Sequence, residues 1–111
     1  MAILNLTPHT INLIAENGET VMVIPPSGVV ARATQTDQVC GEVEGIEVVK
    51  TSFGAPTDLP EPCEGVYLVV SLATANAART TGRSTDDLLL TSSPVRDEGG
   101  RIIGCRRFAR I

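Results

Sequence analysis

Three glycine-centred turns constrain this chain more than any other feature in it. Asn17-Gly18, Glu44-Gly45 and Gly99-Gly100 each separate two short runs rich in Val, Ile or Thr. Asn-Gly readily supplies the positive φ angles of a tight turn, so the first predicts a hairpin joining 11–14 to 20–24. Pro25-Pro26-Ser27-Gly28 ends it, because proline cannot donate to a strand ladder. A strand is expected to restart over 29–36. The second hairpin joins 39–43 to 46–52, and the third joins 95–97 to 101–108. Between the second and third, residues 54–65 hold Pro56, Pro60 and Pro62. That composition predicts a long surface loop, of the kind that is often functional or lies at an interface.

The pattern changes at Val66. Residues 66–70 are continuously apolar, as expected for a central strand buried on both faces. Ser71 is placed to cap a helix over 72–79, where Ala73, Ala75, Ala77 and Ala78 favour helix and allow close packing. Thr80-Thr81-Gly82 stops it, and Ser84 is placed to cap one further turn before a strand at 88–90. The expected fold is a single α+β domain over residues 1–111, mostly antiparallel hairpins with one principal helix. The length of 111 residues suits one modest core. Phe53, Tyr67 and Phe108 are its only aromatics, so Val, Ile, Leu and Ala must fill that core. A small aliphatic core leaves little surplus stability, which favours homo-oligomerisation.

No apolar run approaches the roughly 20 residues of a membrane-spanning helix. The first residues carry neither a basic segment nor a long apolar core, so no export signal is expected. Cys40, Cys63 and Cys105 are odd in number and lack metal-type spacing. Free thiols in a reducing cytosol are expected, with no metal and no cofactor.

Charge is unevenly distributed. Residues 1–66 carry nine acidic side chains against Arg32 and Lys50, whereas residues 67–111 carry four acidic side chains against seven arginines and no lysine. The net charge of −4 argues against general DNA binding. A local arginine cluster on an acidic body suits a small anion, since the guanidinium fork matches phosphate and its face stacks on bases.

No standard catalytic motif is present, whether a Walker loop, G-x-S-x-G, H-E-x-x-H or C-x-x-C. His9, the one histidine, follows Thr7-Pro8. It is either a turn residue hydrogen-bonded to backbone or a group near a bound nucleotide. The junction at Ser71 offers free N–H groups and a positive helix end to an anion, with Asn76 nearby; ordinary capping explains the same residues. Arg79 and Arg83 lie past the far end of that helix, where they also complement its dipole. In Arg96-Asp97-Glu98-Gly99-Gly100-Arg101, a hairpin tip brings Arg96 and Arg101 close, and Asp97 can hold a guanidinium or accept from a base or ribose. An exposed tip with weak local ion pairs is the plainer reading. Arg107 lies on the last strand, where arginines occupy both faces.

Asn5-Leu6-Thr7-Pro8-His9-Thr10, Gly45-Ile46-Glu47-Val48-Val49-Lys50-Thr51 and Arg96-Asp97-Glu98-Gly99-Gly100-Arg101-Ile102-Ile103-Gly104 resemble small phage and prophage proteins. The chain is similar, over nearly its whole length, to the first-described family of Thoeris anti-defence proteins, the phage sponges. The resemblance implies a compact α+β protomer assembled into dimers and then hexamers in the cytosol of an infected bacterium. It implies tight binding of immune signalling nucleotides, notably glycosidically cyclised ADP-ribose isomers, and in some members cyclic trinucleotides of CBASS defence at separate sites. The signal is sequestered, not cleaved. An aromatic or guanidinium stack, an asparagine and C-terminal arginines form such pockets; Asn76, Arg96 and Arg101 are the nearest positions here. The chain departs from that pattern in lacking any aromatic between Tyr67 and Phe108.

Three function classes follow. The leading expectation is a non-enzymatic nucleotide sponge that reads its ligand with Arg96, Arg101, Asp97, Asn76, Ser71, Arg79, Arg83 and Arg107. The alternatives are a small phosphodiesterase or nucleotidase, and a structural phage accessory protein.

Overall fold

A computed structural model describes residues 2–111. It contains one helix and eight strands and is α+β. The strands are β1 (Ala2–Asn5), β2 (Ile11–Ile14), β3 (Thr20–Ile24), β4 (Gln35–Val43), β5 (Ile46–Phe53), β6 (Val66–Val69), β7 (Leu88–Arg96) and β8 (Ile102–Ala109), and α1 (Leu72–Thr80) joins β6 to β7. Six strands form one sheet in the order β1-β6-β7-β8-β2-β3, while β4 and β5 pair only with each other.

All three expected hairpins are present, as β2–β3, β4–β5 and β7–β8. Their turns differ in detail from expectation. At Asn17-Gly18 only Gly18 has positive φ, at 89°. Asn17 instead accepts the Glu19 N–H on its side-chain oxygen at 3.0 Å, an Asx turn. At Glu44-Gly45 both residues are left-handed, at 50° and 81°, the two-residue loop that follows strand twist. The 88–90 and 95–97 runs belong to one strand, β7, which continues through Pro94. The strand expected from residue 29 starts only at Gln35. Upstream, Ala31 N–H donates to Leu6 O, and Arg32 and Thr57 exchange two backbone bonds as an isolated bridge, so no ladder forms there.

Three pairings are parallel: β1 with β6, β6 with β7, and β2 with β8. β6, α1 and β7 therefore make a β-α-β crossover, and the six-stranded sheet mixes parallel pairings with the β2–β3 and β7–β8 hairpins. Leu68, Val70 and Leu88 face α1, where they pack with Leu6, Ala31, Ala75 and Ala78. Ala75, Ala77 and Ala78 are fully buried, which is why alanine suits this helix: its backbone sits close to the sheet. Val69 points to the other face, into a second cluster with Ile11, Ile24 and Cys105.

The two outer strands of the sheet meet at one end. Asn5 closes β1, and its Nδ2 donates to Ile24 O at the end of β3, 3.1 Å away. The sheet is thus curled, with the Val69 cluster inside the curl. The β4–β5 hairpin is an arm: every residue of β4 is exposed, and so is every residue of β5 except Phe53. Its extension gives a radius of gyration of 16.7 Å, against about 13 Å for a compact chain of this length. No helix among the described residues is long and apolar enough to cross a membrane.

Candidate functional site

A cavity of about 590 Å³ lies where the carboxyl ends of β1 and β6 meet the start of α1. Three stretches of chain wall it: residues 7–12, residues 69–71, and residues 102–105, with Thr91 between them. In sheets with parallel strands, ligands commonly bind beyond the strands' carboxyl ends, where helix N-termini also point.

Asn5 builds the first wall. It is 1% exposed and all four of its amide hydrogen-bonding positions are used. Nδ2 donates to His9 O at 2.7 Å and to Ile24 O; Oδ1 accepts from Thr7 N at 3.0 Å and Thr7 Oγ1 at 2.6 Å. One side chain therefore holds the turn 7–9 against both outer strands. His9 engages this network through its backbone and is among the residues lining the cavity.

Ser71 forms the second wall. It has extended backbone, φ −73° and ψ 159°, and its Oγ accepts the Thr74 N–H, the N-cap bond expected there. Ser71 Oγ also lies 2.9 Å from Thr74 Oγ1, which donates to Ala31 O at 3.1 Å. The start of α1 is thus tied to the 30–33 loop. Beyond that tie is a second cavity of about 280 Å³, which shares Thr7, Pro8 and Ser71 with the first and adds Arg32 and Gln35.

Gly104 allows the third wall. A Cβ on it would sit 2.5 Å from Asn12 O and 2.6 Å from Ile14 Cδ1. Only glycine lets β2 lie this close to β8, and Asn12 Nδ2 fastens the pair by donating to Ile103 O at 3.2 Å. Cys105 lies beside it, and burial raises its thiol above the ordinary value, keeping it protonated. That is the opposite of an activated thiolate.

Of the residues expected from sequence to read the ligand, the structure brings one to this cavity and leaves the others apart from it. Ser71 lines it. Asn76 is half-buried on α1, and Arg79 is exposed in the helix's last turn. Arg83 forms a forked pair with Asp87, both contacts at 2.9 Å, and also donates to Ser84 O and Pro60 O. Its guanidinium pins the proline loop to the exit of α1. Asp97 accepts the N–H groups of Gly99 and Arg101, so it shapes the β7–β8 turn. Arg96 donates to Gly100 O at 2.7 Å across that turn, and Arg101 is exposed at its end. Arg107 lies, with Arg106, in a separate shallow groove beside Ile14 and Glu16. Cys40, Cys63 and Cys105 are free thiols, the last one buried. Among the described residues no three His, Cys, Asp or Glu side chains gather as a metal site would need.

Most of the cavity lining escaped the sequence reading, because it comes from segments almost a hundred residues apart. One signal was available: an asparagine ending an apolar strand, Ala2–Asn5, is a buried polar residue that must be satisfied by something. No family model, curated protein or solved structure matches the chain.

Proposed function

We propose that this protein is a non-enzymatic binder that sequesters a small nucleotide, with the ligand's ring system in the cavity at the start of α1. The observation that carries this reading is the cavity itself. Its volume lies within the range of small-molecule pockets. Val69, Ile11, Ile102 and Ile103 offer an apolar wall, and Thr7, Thr10, Ser71 and Thr91 offer hydroxyls. The helix end favours a negative group. The one thiol in the lining is held protonated, which disfavours nucleophilic chemistry there. The resemblance to phage anti-Thoeris sponges narrows the ligand class to cyclic ADP-ribose isomers, with cyclic trinucleotides as a second candidate, and proposes a dimer-based hexamer in the host cytosol. Arg96 and Arg101, exposed next to the Ile102–Ile103 wall, are the proposed readers of phosphate.

Incubation with cyclic ADP-ribose isomers, followed by heat denaturation and mass spectrometry of the supernatant, tests the reading. Intact nucleotide released only by heat supports sequestration. A cleaved product makes the protein a phosphodiesterase or nucleotidase. No retention, together with the protein's presence in purified virions, favours a structural accessory role. Within the sponge reading, Arg101→Lys distinguishes two modes of recognition. Lysine keeps charge but loses the fork and stacking face. A loss of about tenfold, ~1.4 kcal/mol, is expected for both Arg101→Lys and Arg101→Ala. Full affinity with lysine would mean a diffuse positive patch and no specific contact there.

A further inference from the structure

Two surfaces of this chain lack partners within it. The β4–β5 arm packs on its own body chiefly where β5 touches α1. Isolated two-stranded hairpins are marginally stable in water, yet Val43, Ile46 and Val48 lie together on one face of this one and are exposed. On its opposite face Glu42 and Glu47 stand directly across from each other. Like charges in that position destabilise a strand pair unless a cation meets them.

The second surface is β3, an outer strand of the six-stranded sheet. Val21 and Val23 are 70% and 55% exposed, and its sequence, TVMVI, has no lysine or proline. Such an edge presents unpaired backbone groups that other strands add to unless something covers it. At the turn end of the β2–β3 hairpin, Arg106 and Arg107 line a groove of about 300 Å³, in which Glu16 is the one carboxylate. Among the described residues, the ion pair formed is Arg83 with Asp87, so neither Arg106 nor Arg107 is neutralised within the protomer.

We propose that the arm of one copy covers the β3 edge of a second copy, with Glu42 and Glu47 of the arm meeting Arg106 and Arg107. The two surfaces complement each other in both respects: apolar and β-branched against apolar and β-branched, acidic against basic. Each copy carries both halves, so a two-fold pairing engages both arms at once and closes on itself. This names the surface of self-association within the proposed function and does not depend on the ligand.

Charge reversal tests it, because all four residues are exposed and their replacement spares the core. Sedimentation of the native protein should show assemblies at micromolar concentration. E42R/E47R alone and R106E/R107E alone should each weaken assembly by about tenfold or more, since like charges then face each other. Mixed in equal amounts, the two variants should assemble as the native protein does, because each arm now meets an opposite charge. A monomeric native protein, or either variant assembling normally alone, or a mixture that stays dissociated while both variants melt as the native chain does, would overturn the proposal. Nucleotide retention is measured separately on the same samples. Its failure with assembly intact would refute the ligand reading and leave this one standing.

Discussion

The six-stranded body and the β4–β5 arm are built from the same residue types and meet opposite fates. In β6, Leu68 and Val69 are each 1% exposed, whereas in the arm Val43 and Ile46 are 63% and 70% exposed. Valine and isoleucine favour strands in both places. What differs is what lies across from each face. The body has α1 on one side and its own curl on the other; the arm touches α1 only where β5 passes it. Apolar alternation therefore identifies a strand without saying whether its own chain will cover it.

This contrast predicts that stability lies in the body's polar locks and scarcely at all in the arm. The largest effect should come at Asn5. Asn5→Ala leaves the carbonyls of His9 and Ile24 and the Thr7 N–H without their partner inside the fold, at about 3–4 kcal/mol in total. A fall in melting temperature of more than about 10 °C is expected. Asn5→Asp should do as badly, because it presents oxygen where two donors are required. If Asn5→Ala melts near the native temperature, the turn at 7–9 is held by something else, and the distinction between locked body and free arm weakens.

Arg83 comes next. Its side chain and that of Asp87 are each only 12% exposed. Arg83→Ala strands a nearly buried carboxylate and should cost about 2–3 kcal/mol in denaturant melts. Arg83→Lys should recover little, because one ammonium cannot serve Asp87, Ser84 O and Pro60 O together. Full recovery with lysine would reduce this contact to simple charge.

In the arm, Val43→Thr and Ile46→Thr should change the unfolding free energy of the protomer by less than about 0.5 kcal/mol. They should act on assembly instead. A larger loss, seen under dissociating conditions, would mean that the arm folds back on its own body.

The smallest effect concerns thiols and needs no change in stability at neutral pH. Cys40, in the arm, should react quickly with a thiol reagent, and Cys105 should react only on unfolding. Burial raises the Cys105 pKa above 9.0. The folded chain therefore holds that proton more tightly than the unfolded chain does. Its contribution to stability is present below the unfolded value and is lost as pH climbs past it. Replacing Cys105 with alanine should flatten that alkaline decline, and an unchanged slope would place its origin elsewhere.

The local features were legible in the residues themselves. Turn chemistry at Glu44-Gly45 and Gly99-Gly100 located two hairpins, and Ser71 and Gly82 bounded α1 correctly, since caps and turns depend on a few neighbouring residues. Pairing between distant segments was not legible. β1 has four residues and no turn to announce it; it exists because β6, some sixty residues later, offers it a parallel ladder. The part played by Arg83 depended on where Asp87 and Pro60 came to lie. Its sequence position alone suggested a partner for the helix dipole or for a bound anion.

By itself, then, the sequence determined an α+β chain of short strands, three hairpins and one alanine-rich helix, because those properties follow from local backbone preference and side-chain periodicity. Only the tertiary structure decided that Asn5 is the lock of the curled sheet, that Gly104 is where β2 comes closest against β8, and that a cavity opens at the start of α1. It also decided that nearly all of the arm is left exposed. Each of these depends on contacts between residues far apart in the chain, and such contacts exist only once the sheet has closed.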